Sequence, residues 1–260
     1  YGAGLRVLDF AAAPEQARVT INDCVSEKTE GKIENLIPEG AIGPLTRLVL
    51  TNAIYFNAAW AEPFDEDATK DRPFHLLDGS QVSVPMMRQT ASFGYAAGDG
   101  YQAIELPYDG RELSMVILLP DEGGLQAFEE TLEADKLAGI LDDVDYQQVN
   151  LTMPRFEFDS GFSLNQALID MGMPDAFSGQ ADFSGMTGSR DLFISSVIHK
   201  AFVSVDEEGT EAAAATAVVM AESAMPTEPR EVTVDRPFLF AIRDVETGAV
   251  LFVGRVVDPR

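Results

Sequence analysis

His75 and His199 are the only imidazoles and Cys24 the only thiol in the chain's 260 residues. Together they cannot complete a zinc tetrad, and a lone thiol forms no internal disulfide. A serine–histidine–aspartate relay would have to recruit one of the two histidines. His75 sits in the alternating run Phe74-His75-Leu76-Leu77 and His199 in an apolar stretch between Ile198 and Lys200, so both read as structural. Cys24 reads as a small buried hydrophobe. Acidic pairs such as Glu129-Glu130 and Asp142-Asp143 fall in loops or on solvated helix faces, as expected with 43 Asp and Glu. No Gly-x-Ser-x-Gly elbow, Walker loop, complete Gly-x-Gly-x-x-Gly or His-Glu-x-x-His occurs. Asn150-Leu151-Thr152 fits the glycosylation acceptor pattern, but inside an expected strand. The sequence therefore predicts no catalytic residue, no metal and no cofactor.

The unusual segment is residues 206–230. Asp206-Glu207-Glu208-Gly209-Thr210-Glu211 is followed by four alanines, Ala212 to Ala215, and the segment ends in Pro226 and Pro229. Alanine favours helix, yet the segment has no amphipathic stripe to bury. A stretch this long, with small residues and no core face, reads as an exposed functional loop. In extended form Thr210, Ala212, Ala214 and Thr216 share one face, and Glu211, Ala213, Ala215 and Ala217 the other. Small side chains on the first face suit entry between existing strands, where bulk or charge would cost several kcal/mol.

The elements that must position this segment follow from periodicity. Residues 5–10 alternate like a short strand. Pro14 opens a helix in which Ala17, Ile21, Cys24, Val25 and Lys28 follow the helical period, closed by Gly31 and Pro38. The apolar run from Leu45 to Phe56 predicts a strand buried on both faces. Asn52, inside it, would then need partners, since an unsatisfied buried amide costs ~1–3 kcal/mol. Strands are expected at residues 74–77, 82–87, 102–106, 113–119, 148–158 and 192–205, with turns at Asp78-Gly79 and Asp109-Gly110. Helices are expected at 125–141, with the stripe Leu125, Phe128, Leu132, Leu137 and Leu141, and at 164–171. Three strands close the chain, at 231–234, 238–242 and 250–257. The pattern is α+β, with no repeat and no compositional break.

Hydrophobic content of 46% with 9% aromatics predicts a folded core, and the net charge of −25 argues against nucleic acid and a polybasic membrane mode. No apolar run approaches the ~20 residues of a spanning helix, and no signal-peptide pattern opens the chain. Five of the 18 basic residues are lysines, an acid-rich, lysine-poor balance suited to high salt.

The chain resembles a serpin from Tyr1 to Arg260. The resemblance rests on Leu50-Thr51-Asn52-Ala53-Ile54-Tyr55-Phe56 with Trp60, Pro63 and Phe64, and on Leu106-Pro107-Tyr108. It continues through Met115–Pro120, Met153-Pro154-Arg155-Phe156 and His199-Lys200-Ala201-Phe202. Its most specific parts are the hinge, Glu207-Glu208-Gly209-Thr210-Glu211-Ala212-Ala213-Ala214, and the terminal run from Asp235 to Asp244.

The resemblance implies an α+β serpin fold: a large central mixed sheet, further sheets, surrounding helices and an exposed reactive-centre loop, here residues 209–231. It implies one domain over residues 1–260 that lacks the family's N-terminal helices, about the first third. The implied function is suicide inhibition of serine, and in some cases cysteine, endopeptidases. Cleavage of the loop forms an acyl-enzyme, and the freed hinge then inserts into the central sheet as a strand. The hinge residues Glu207, Gly209, Thr210, Glu211, Ala212, Ala213, Ala214 and Ala215 fit the inhibitory, microbial-like type. Register places the scissile bond at Ser223–Ala224, with Glu222 and Met225 as alternatives. Small residues there point to elastase-like or subtilisin-like targets. Asn52 and His199 match the shutter pair, Trp60 the breach where insertion begins, and Arg155 with Glu207 a charge pair above it. A target serine protease is the implied partner; few lysines disfavour a heparin-like polyanion. A monomer, extracellular or periplasmic, is expected. The alternatives are a non-inhibitory serpin-fold binding or chaperone protein, or a fragment inactive because of its missing start.

Overall fold

The computed structural model describes residues 6–210 and 228–260. Helix α1 (Pro14–Lys28) comes first, then β1 (Val49–Tyr55), β2 (Ala58–Ala59), β3 (Lys70–His75), β4 (Gln81–Gly98), β5 (Tyr101–Pro107) and β6 (Leu113–Pro120). Helices α2 (Leu125–Glu130) and α3 (Ala134–Asp142) lead to β7 (Asp145–Pro154) and β8 (Phe156–Ser163). Short helices α4 (Asn165–Asp170) and α5 (Ser184–Thr187) precede β9 (Ser196–Val205). The last strands are β10 (Gly209–Thr210), β11 (Arg230–Thr233), β12 (Phe238–Asp244) and β13 (Val250–Val256). Two compact units result: Tyr1–Phe56 with Phe158–Val203, and Asn57–Glu157 with Ser204–Arg260.

In the first unit α1 starts at Pro14, whose missing N–H costs nothing at the first helical position. Its buried polar residue is Asn22. The Asn22 amide donates to the Ile37 carbonyl at 3.0 Å and accepts from the Ile37 N–H at 2.9 Å, tying the helix to the following loop. Ile33, Leu36, Ile37, Ile42 and Phe202 form the core, against which Val49, Ala53 and Tyr55 of β1 pack. Strand β1 runs parallel to β9, with Asn52 opposite His199.

Four expectations change here. Residues 6–9 form no strand, and Val7 is 94% exposed: alternation offers a face, but a strand also needs a hydrogen-bonded neighbour. The Leu45–Phe56 run is a strand only from Val49, and it is covered on one face. Leu50 and Asn52 are exposed, so the buried-amide argument for Asn52 fails. Strand β9 begins at Ser196; just before it, Ile194 N–H donates to the Ala176 carbonyl at 2.9 Å, away from β1. Cys24 is half-buried rather than fully so.

The second unit is built on a sheet in the order β11-β7-β4-β5-β6-β12-β13, with β3 also paired to β4. Gly79 and Gly110, both at φ 81°, turn the β3–β4 and β5–β6 hairpins where the Asp-Gly pairs predicted. Strand β4 is much longer than the expected 82–87. Its polar middle, Arg88 to Ser92, continues as strand because β7 pairs with it from Met86 to Tyr95. Helices α2 and α3 cover one face, where Leu125, Phe128 and Ile140 meet Val116, Leu118 and Leu239. The expected single helix 125–141 breaks at Thr131, whose hydroxyl donates to the Ala127 and Phe128 carbonyls. Beside it Glu133 is extended, at φ −107° and ψ 167°. The expected strand 148–158 divides at Arg155 into β7 and β8, and Arg155 is thereby freed for the site described next.

Candidate functional site

The site lies in the second unit, where the chain leaves β9 and doubles back. Asp206 makes the turn: its carboxylate accepts from the Glu208 N–H at 2.9 Å and the Gly209 N–H at 3.1 Å. An aspartate offering its side chain to the backbone two and three residues on is a local turn signal. The reversal sets β10 antiparallel to the end of β9, with Thr210 opposite Val205. The other edge of β10 pairs with β2, Gly209 opposite Ala59 and Thr210 opposite Ala58.

Gly209 is required by this fit. A Cβ there would stand 2.2 Å from the Ala58 oxygen and 2.8 Å from the Ala59 Cα, both backbone atoms that cannot swing aside. Thr210 is fully buried, and its Oγ1 lies 2.7 Å from the hydroxyl of buried Tyr108. Burial pushes the Tyr108 phenol well above its ordinary value, with the Thr210 hydrogen bond acting weakly the other way. Trp60 stacks on Tyr108 with ring centroids 4.7 Å apart and planes 9° apart. The Trp60 indole N–H donates to the Asp206 carbonyl at 2.9 Å, and its backbone N–H to the Glu208 carbonyl at 2.9 Å.

Glu207 points inward from the same turn. Its carboxylate accepts from the Thr69 hydroxyl and pairs with the Arg155 guanidinium at 2.6 Å. The hydrogen bond to Glu207 is the main reason the Arg155 pKa is raised. The Phe64 N–H donates to the Glu207 carbonyl at 2.8 Å, so the turn is fastened through main chain and side chain alike.

The structure thus gathers Trp60, Arg155, Glu207, Gly209 and Thr210, all singled out from the sequence. Gly209 and Thr210 were expected to open an exposed loop; they are buried and strand-paired instead, because β2 and β9 leave a slot that small residues fill. Thr69 and Tyr108 were missed as site residues. Nothing in the sequence marked Thr69, whereas Tyr108 stood within Leu106-Pro107-Tyr108. Asn52 and His199 are in the first unit, register partners on β1 and β9, with the Asn52 side chain exposed and the His199 ring 5.3 Å from that of Phe162. Glu211, Ala212, Ala213, Ala214 and Ala215, and the reactive-bond candidates Glu222, Ser223, Ala224 and Met225, lie outside the described residues. Among the described residues no group of three or more His, Cys, Asp or Glu is placed to hold a metal ion. Asn150 of the acceptor pattern is buried and committed: it accepts from Arg88 at 3.0 Å and donates to Glu231 at 2.7 Å.

The site is thus a slot beside the end of β9 occupied by a glycine-led strand, below a turn held by a buried acid. The family described as Serpin (serine protease inhibitor) matches residues 1–259. Human Serpin B3 is 47% identical over 264 residues, covering 100% of this chain and 68% of that protein. Leukocyte elastase inhibitor of Bos taurus is 45% identical over 268 residues, covering 100% of this chain and 71% of that protein. The crystal structure of uncleaved ovalbumin superposes with a TM-score of 0.88 at 32% identity, covering 100% of this chain and 67% of that one. The chain belongs to the serpin family, and its α+β fold is the serpin fold.

Proposed function

We propose that this chain traps serine endopeptidases of elastase-like or subtilisin-like specificity by loop cleavage, acyl capture and strand insertion. The observation that carries the reading is β10: two residues of the hinge already run beside β9 in a slot that only glycine can enter at position 209. One relative, the leukocyte elastase inhibitor of Bos taurus, supports the target class, as do the small residues Ser223 and Ala224.

The protease serine attacks the Ser223 carbonyl, forming an ester and releasing the Ala224 amine. This chain supplies no catalytic group; it supplies a strand. The pairing of Thr210 with Val205, continued along β9, would set Ala212 opposite buried Val203 and Thr216 opposite His199. The face shared by Thr210, Ala212, Ala214 and Thr216 carries no charge and no bulk, so entry does not overpack the sheet. Strand β1, now paired with β9, must give way, and Asn52 opposite His199 marks where. The uncleaved state is metastable, held by kinetics more than by equilibrium, and insertion of the strand releases the stored strain.

The test is incubation with an elastase-like and a subtilisin-like protease, followed by a denaturing gel and mass analysis of the released C-terminal peptide. A complex that survives denaturation, with a peptide beginning at Ala224, is expected. Complete loop cleavage with free, active protease would contradict the proposal. A peptide beginning at Ser223 would move the scissile bond to follow Glu222, and one beginning at Pro226 would move it to follow Met225.

A further inference from the structure

Thr210 is held from three directions. Its backbone meets Val205 on one side and Ala58 on the other, while its hydroxyl meets the Tyr108 phenol at 2.7 Å. A two-residue strand has too few ladder bonds to hold its own place, so the side-chain bond bears on whether β10 stays seated. Tyr108 is itself immobilised by its stack on Trp60 and by its N–H bond to the Leu113 carbonyl at 3.0 Å. Both hydroxyls are buried. Deleting one takes this bond from the other at a site shut off from solvent, whereas deleting both is close to neutral.

We infer that Tyr108 is a positioning residue that reads position 210: it selects a hydroxyl-bearing side chain there and latches β10 between β9 and β2 in the uncleaved chain. Thr210 is fully buried, so serine or threonine keeps the hydroxyl contact, while valine fills the same space without it. Seated in this way, β10 fixes the register against β9 in advance, and further residues lengthen an existing strand instead of nucleating one. That last consequence rests on the insertion mechanism proposed above; the latch does not.

Hydrogen exchange read by mass spectrometry on the full chain tests the latch without any protease. Tyr108→Phe and Thr210→Val are each expected to speed exchange of the Gly209 and Thr210 amides roughly five- to tenfold. Thr210→Ser should stay within about twofold of the parent, because it keeps the hydroxyl. The double variant should exchange more slowly than the product of the single effects predicts. Exchange where β5 pairs with β6 around Ile104 and Ile117 should not move. Unchanged exchange at 209–210 in both single variants overturns the inference. So does acceleration spread equally through β5 and β6, which marks a general loosening.

In parallel, the Tyr108→Phe protein is expected to divert more protease from trapped complex to simple loop cleavage, with unchanged initial association. Exchange effects in a parent that never traps protease would sink the proposed function and leave the latch standing. Trapping with no exchange effect would do the reverse.

Discussion

Arg155 and Glu207 form an ion pair of unequal burial: the carboxylate side chain is 3% exposed and the guanidinium 41%. Solvent screens the arginine end, so the pair contributes less than a fully buried one. The acid depends on it nonetheless, because Thr69 is its one other side-chain partner among the described residues. Arg155→Ala is expected to lower stability by about 1–3 kcal/mol. Glu207→Gln should cost less, since an amide oxygen still accepts from Thr69. Glu207→Lys should cost most, placing two cations together in a closed site. Denaturant titrations of the three variants check the order; a Glu207→Lys protein as stable as the parent would contradict the geometry.

Gly209→Ala cannot keep β10 where it is. Its Cβ would collide with the Ala58 carbonyl, and neither strand backbone can yield. The expected result is loss of amide protection at residues 209 and 210 and, in the protease assay, conversion from trap to substrate. Gly179→Ala is the control, because a Cβ there meets nothing within 4 Å. Equal behaviour of the two variants would refute the close-approach argument.

The alkaline limb of stability should carry the signature of Tyr108. Its phenol pKa is raised in the folded state, while in the unfolded chain it returns to about 10. Below that pH both states are neutral and its contribution is fully present. Above it the unfolded chain loses the proton first, so stability falls as pH rises. Tyr146 is raised too, by burial first and Glu105 second, and adds in the same direction. Tyr108→Phe should therefore flatten, without abolishing, the loss of melting temperature above about pH 10. An alkaline limb unchanged in the variant would show that the phenol is not held neutral by burial.

A net charge of −25 with 18 basic residues leaves acid–acid repulsion as the dominant long-range term. Raising potassium chloride from about 0.01 M to about 1 M shortens the screening length from roughly 30 Å to roughly 3 Å. The melting temperature is expected to climb by several degrees across that range. A flat or falling curve would remove any case for adaptation to salt.

Much of the scaffold was legible from local chemistry. Pro14 placed the start of α1, Asp-Gly pairs placed two hairpins, and the apolar core of β6 announced itself as an unbroken run from Met115 to Leu119. What failed depended on distant neighbours. Residues 88–92 are too polar to read as strand alone, yet β7 holds them in the ladder. Leu50 and Asn52 lie in an apolar run, but among the described residues one face of β1 has no cover. The start of the hinge was legible as composition, because Gly209 and Thr210 are small enough for a narrow space. Its resting position was not: that Gly209 and Thr210 are already paired depends on β2, a two-residue strand with no sequence signal. Thr69 shows the same gap, since nothing local to this threonine marks the buried acid it meets.

Trp60 is the chain's one tryptophan, and it sits face to face with the phenol that touches Thr210 while its indole N–H is bound to the carbonyl at the turn. The molecule therefore carries its own optical gauge. Every photon of indole emission originates at the place where β10 is seated or unseated, with a quencher candidate on one side and a hydrogen-bond acceptor on another. Loop movement can be timed in unmodified protein, without a dye and without a second indole to subtract.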